Sequence, residues 1–242
     1  MMTVGFVALA MAILAFWQHG MVETLRKKRL NESRIQKHTR NFWLVAGGWL
    51  TYVTILCNTD LLTTAPSHLR VPILVVLPIL GLLAYSFRNN RLAVFAKYFP
   101  RTMAVYGQTL QIAVELLIYG SYVQGVIPAH ATFEGYNLSI LVGLTAPVIG
   151  SMAFLSKTLS PKTLIAWHIA GLSALGVELV IFMITLLCPE LCGLEHTLAP
   201  EFNTMPYALL LSVFIPSAAF MHLISISQTL TLIKRKAMRQ YA

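Results

Sequence analysis

Charged residues make up only 11% of this 242-residue chain, against about a quarter in an ordinary soluble domain. With 57% hydrophobic residues and a mean hydropathy of +0.69, that scarcity excludes a water-soluble globule, a disordered chain and any large extramembrane domain. Three cysteines are too few for a disulfide scaffold or a cysteine-built metal array. No GxSxG, HExxH, P-loop or GxGxxG pattern occurs, so none of the chemistries that need those turns is indicated. The last apolar stretch holds no lysine, which excludes a retinal Schiff base there. Acidic residues are the scarcer sign, nine against 18 Lys and Arg, for a net charge of +9. In a soluble protein that surplus suggests nucleic acid. Here the basic residues sit in tight runs between apolar stretches, so topology explains them and no nucleic-acid partner is expected.

At ~20 residues per membrane-crossing helix, a chain of this length holds about seven spans and little else. Apolar stretches read as helices at 2–22, 42–61, 71–87, 103–123, 137–155, 163–188 and 206–232. The expected fold is all-α, a polytopic seven-helix membrane bundle forming a single transmembrane domain over 1–242. No positive residue precedes the first apolar run and Arg26-Lys27-Lys28-Arg29 follows it, the charge order of an anchor whose N-terminus lies outside. Basic residues of 23–41, 88–101, 156–162 and 234–242 account for 17 of the 18 and share one side if there are seven spans. Asp60, Glu134, Glu190, Glu195 and Glu201 fall opposite, with Arg70 the only basic exception. The expectation is an integral plasma (inner) membrane protein, multi-pass, with its C-terminus in the cytoplasm.

Span 4 carries a polar stripe. At 100° per residue, Gln108, Gln111, Glu115, Tyr119 and Tyr122 fall within an arc of about 80°. Such a stripe faces other helices, a cavity or a ligand rather than lipid, and an intramembrane Glu115 must be protonated or closely partnered. An interhelical hydrogen-bond network is the plainer explanation of the same residues. Span 6 adds His168 and Glu178, whose ten-residue separation puts ~15 Å of rise between them. Span 7 adds His222 and Ser225 on one face with Gln228 at its edge, after Pro216. Glu115 and Glu178 are expected near mid-membrane, and no Lys or Arg lies inside any span. What neutralises them is then a proton, a histidinium, a metal ion or a cationic ligand. His168 and His222 are the residues that would ligate a metal or haem, although counting from the helix ends puts them ~7 Å apart in depth, which counts against a bis-His haem. No cofactor is singled out.

On the outer side, Thr132, Glu134, Gly135 and Asn137 read as a polar turn at the membrane surface, with Asn137 or Ser139 available to cap span 5. Cys188 and Cys192 are placed either to pair as a disulfide or to remain two free thiols.

Five strings occur together: VEL (114–116), IP-x3-TFEG-x-N (127–137), GLTAP (143–147), W-H-x-x-GL (167–172) and P-x5-H-x2-S-x2-Q (216–228). In these, spans 4–7 resemble a family of uncharacterised bacterial seven-helix integral membrane proteins. The resemblance implies a bacterial inner-membrane location and about seven helices, and no substrate. This chain departs from the family pattern at Ala131, where the family has Met, and at Leu138-Ser139, where it has Phe-Asp. The expected function is a small-molecule or ion transporter or permease with a polar cavity between spans 4, 6 and 7. The alternatives are a haem- or metal-binding membrane oxidoreductase and an accessory subunit of a membrane complex. Expected partners are the lipid bilayer and a small molecule or ion, with an oligomer or complex left open.

Overall fold

In the computed structural model of the protein, residues 2–59, 70–88, 91–188 and 198–240 are described. They form eight helices and no strand. These are α1 (Met2–Lys27), α2 (Glu32–Asn58), α3 (a π turn at Pro72–Val76 running into Leu77–Phe87) and α4 (Arg91–Tyr98). Then come α5 (Arg101–Tyr106, a 3-10 turn at Gly107–Thr109, then Leu110–Val123) and α6 (Ser139–Gly150, then a π turn at Ser151–Leu155). The last two are α7 (Pro161–Leu187) and α8 (a π turn at Leu210–Phe214, then Ile215–Gln240).

A helix lies on each of the seven apolar stretches. The eighth, α4, occupies the stretch 88–101 read as a loop. Three helices are long and apolar enough to cross a membrane, at Met2–Lys27, Pro161–Leu187 and Leu210–Arg235, with shorter apolar helices at Pro72–Leu82 and Ser139–Leu155. The chain is therefore an all-helical membrane protein. Several helices outrun their apolar cores because backbone hydrogen bonding does not stop where hydrophobicity does. α1 ends on Arg26 and Lys27, charges that suit the negative end of its dipole. α2 begins on Asn31, whose side chain accepts from the Arg34 N–H, and α7 on Ser160, which accepts from the Thr163 N–H with Pro161 in the first turn.

α8 is the central helix. Some 61% of its apolar window is buried, against 28% for α1 and for α7, whose outer faces are left to lipid. It packs mainly against α7, α4 and α5, while α1 packs on α2 and α5. Phe6 of α1 stacks on Phe214 and meets Tyr207 edge-on, packing α1 against the segment that enters α8. Val4, Leu44, Val45, Leu116, Leu144 and Val180 point outward, as apolar side chains facing lipid should.

Candidate functional site

Two polar clusters lie inside the bundle. The first is a pair of carboxylates, Glu115 on α5 and Glu178 on α7, exposed by 0% and 1%. Asn137 Nδ2 donates to Glu115 Oε2 at 2.9 Å, and Ser139 Oγ donates to Glu178 Oε2 at 2.6 Å. Asn137 Oδ1 accepts from the Ser139 N–H at 3.0 Å, so one short segment, entering α6, serves both acids. The two are near enough to interact electrostatically, and neither makes an ion pair among the described residues. Each keeps one buried oxygen, Oε1, without a hydrogen-bond partner.

The segment reaches the acids because the loop between α5 and α6 turns some of its side chains inward. Thr132 and Asn137, expected at the membrane surface, are fully buried. The loop satisfies its own backbone: the N–H groups of Gly135 and Asn137 donate to Thr132 O, that of Tyr136 to His130 O, and Thr132 Oγ1 to Ala129 O. A loop whose backbone groups are paired internally can turn Thr132 and Asn137 into the bundle while Glu134, Gly135, Tyr136 and Leu138 stay exposed. Gly135 is required at its crossing point, since a Cβ there would lie 2.4 Å from His130 Cα. His130 Nε2 meets Thr185 Oγ1 at 2.9 Å and ties the loop to α7. Tyr119 leaves the expected stripe: it is half-buried, its ring stacks on Phe133 at 5.1 Å, and its hydroxyl meets Glu134, which stays exposed. Neither Tyr119 nor Glu134 belongs with the acids.

The second cluster corrects the depth argument. His168 Nδ1 and His222 Nδ1 are 2.7 Å apart, with both rings fully buried. α8 projects past the N-terminus of α7, so equal depth corresponds to unequal residue counts from the helix ends. Gly171 admits the contact, because a Cβ there would sit 2.3 Å from His222 Cε1. Trp167 walls the pair, its ring 4.7 Å from that of His168, and donates from Nε1 to Thr145 Oγ1 at 3.0 Å. Both Nε2 atoms lack a partner.

Gln108 and Gln111 lie between the clusters along α5. Gln108 Nε2 donates to Ala218 O at 3.1 Å, leaving Oε1 unpartnered, and Gln111 leaves Nε2 unpartnered. Ser225 is buried one turn beyond His222. Gln228 is removed from the candidate site: its Nε2 donates to Ala96 O and Phe99 O, both at 2.8 Å, capping the open end of α4. Cys188 is exposed, and Cys192 lies outside the described residues, as does any pairing between the two. Ser139, read from sequence only as a cap, is the acid-binding residue that sequence reasoning missed.

The residues that would hold a metal are His168 and His222, and no group of three or more His, Cys, Asp or Glu able to do so is found among the described residues. Two nitrogens on one ion, with bonds of about 2.0–2.1 Å, stand roughly 3.3 Å apart, so a 2.7 Å contact is that of a shared proton instead. Cavities of about 680 and 450 Å³ are lined by apolar residues such as Ala12, Phe16, Ile79 and Phe220. Neither is lined by the acids, by Gln108 or Gln111, or by the histidines.

Fold and site together define an all-helical membrane protein with buried acidic and imidazole pairs. No family model, curated protein or solved structure matches the chain.

Proposed function

We propose that the chain is a seven-span protein of the bacterial inner membrane, N-terminus outside, and that it transports a small molecule or ion using Glu115 and Glu178 as its proton or cation site. The observation that carries the reading is the carboxylate pair: two acids in the bundle interior, each with one oxygen held by the inward loop and one without a partner, and no Lys or Arg paired with either among the described residues. Acids are rarely kept at such depth for structure alone, because uncharged groups supply the same hydrogen bonds at less cost. In this reading Asn137 and Ser139, seated on the acids, close the site toward the outside.

In proteoliposomes, wild type is expected to carry protons, Na⁺ or K⁺ across the membrane, read with a trapped pH dye and cation-selective dyes. Glu115→Gln, which keeps the hydrogen bond but holds no exchangeable charge, should abolish that flux while the protein still purifies folded. A fully active Gln variant, or a wild type that carries none of the three ions, would defeat the proposal. A metal or haem reading would need His168 and His222 to part, because at 2.7 Å their nitrogens leave no room for an ion between them. A Soret band or stoichiometric metal in purified protein would move the assignment there.

The orientation has its own test. With the native cysteines replaced, Glu201→Cys should react with an impermeant maleimide added outside intact cells, and Lys28→Cys only after lysis. The opposite pattern would invert the topology.

A further inference from the structure

We infer that His168 and His222 form a single-proton relay serving the carboxylates, and that the ion handled by Glu115 and Glu178 is the proton; the inference rests on the transporter reading. The pair is built for one proton. At 2.7 Å between Nδ1 atoms, one ring donates and the other accepts, so the rings must hold unlike tautomers. The donor ring has a bare Nε2; the acceptor ring carries its proton there. A proton arriving on the bare Nε2 lets that ring release its Nδ1 proton to the facing Nδ1. The second ring then sheds its own Nε2 proton. One N–H bond forms and one breaks on each ring, one proton enters and one leaves, and both rings end neutral. The tautomers are now exchanged, so the next transfer runs in reverse unless both rings turn over, which again presents a protonated nitrogen of the first ring to a bare one of the second. A device of this kind passes protons singly.

A merely structural pair would not look like this. Both Nε2 atoms are buried without a protein partner, and leaving a polar group so is costly. Two apolar side chains would fill the same space without that cost. Instead α7 carries Gly171 at the one place where its absence of a side chain admits the His222 ring.

The way from the pair to the acids is marked by further orphan groups. Gln108 bonds the carbonyl of Ala218, one turn before His222, and leaves Oε1 free. Gln111 leaves Nε2 free, and Glu115 leaves Oε1 free. Along α5 these residues follow one another at intervals of three and four, about one helical turn per step on one face. Buried polar groups without protein partners are where internal water is found. Waters bound at Gln108 and Gln111 would complete the path, while Asn137 and Ser139 hold the acids from the other side.

The test reads proton exchange at the acids, which needs neither a substrate nor transport. Protein in lipid nanodiscs is shifted from H₂O to D₂O, and infrared spectra follow the carboxylic C=O band at a mildly acidic pH. The band is expected in wild type and should diminish in Glu115→Gln and in Glu178→Gln. Its exchange should slow at least about tenfold in His168→Asn, which keeps a polar group but no ring to carry the proton through. Gly171→Ala, which keeps both histidines but drives the rings apart, should slow it likewise. Nitrogen-15 spectra of histidine-labelled wild type should show one ring protonated at Nδ1 and its partner at Nε2. Unchanged exchange in both variants, two like tautomers, or no carboxylic band would overturn the relay. Rapid, histidine-dependent exchange in a protein that carries no ion in proteoliposomes would instead leave the relay standing and remove transport.

Discussion

Gly135→Ala is expected to break open the turn over residues 129–137 and to uncover the buried acids. The added methyl would meet His130 Cα at 2.4 Å, His130 O at 2.6 Å and Ala129 O at 2.7 Å. All three are backbone atoms, so no rotamer change relieves the clash. Overpacking a rigid site costs typically about 1–3 kcal/mol, and backbone contacts put this case at or above the top of that range. The loop also delivers Asn137 and Ser139 to the acids, so its displacement removes both donors at once. A water-soluble carbodiimide should then label Glu115 and Glu178 in the variant and not in wild type, alongside a lowered melting temperature in detergent. Gly47→Ala is the control. A Cβ there meets nothing within 4 Å, and the change replaces a weak helix former by a strong one, so stability should hold or rise slightly. Unreactive acids and an unchanged melt in Gly135→Ala would show that the loop does not seal the site.

Asn137→Leu is the second large effect. Leucine is close to asparagine in bulk but cannot donate to Glu115 Oε2 or accept from the Ser139 N–H, so it orphans two buried groups. Hydrogen bonds between membrane helices average only about 0.6 kcal/mol, because the partners find others when the helices separate. Leaving an acid's remaining buried oxygen and a backbone N–H unpaired is a heavier loss, and about 2–4 kcal/mol is expected in all. A double-mutant cycle with Glu115→Met, which removes the acceptor at similar length, isolates the pair: a coupling of about 1 kcal/mol or more between positions 115 and 137 is predicted from their contact. Additive effects would mean that Asn137 acts on the loop alone.

Composition made the class legible. A chain with so little charge and seven apolar stretches can satisfy its backbone in a bilayer only through helices or a closed barrel, and runs this long and continuous are helical. The stripe on span 4 likewise followed from helical periodicity, and Gln108, Gln111 and Glu115 are buried as the stripe requires. Periodicity failed at Tyr119, one turn further on, where the inward loop supplies a different neighbour. It also failed at Gln228, whose amide turned out to cap α4, a helix hidden in a stretch read as loop.

What the sequence determined by itself is therefore what depends on near neighbours in the chain: helical character, which face of a helix is polar, which residues can carry charge or a proton. Those properties follow from hydrogen bonds four residues apart and from side-chain chemistry. The tertiary structure alone decided what each polar face meets. His168 and His222 touch across 54 positions because α8 slides past the end of α7 and Gly171 opens the gap, a relation that residue counting from helix ends cannot supply. Ser139 reaches Glu178 across 39 positions because the self-satisfied loop before α6 turns Asn137 and Ser139 into the bundle. In both cases the deciding quantity is the offset between packed elements, which shape complementarity sets and local sequence does not encode.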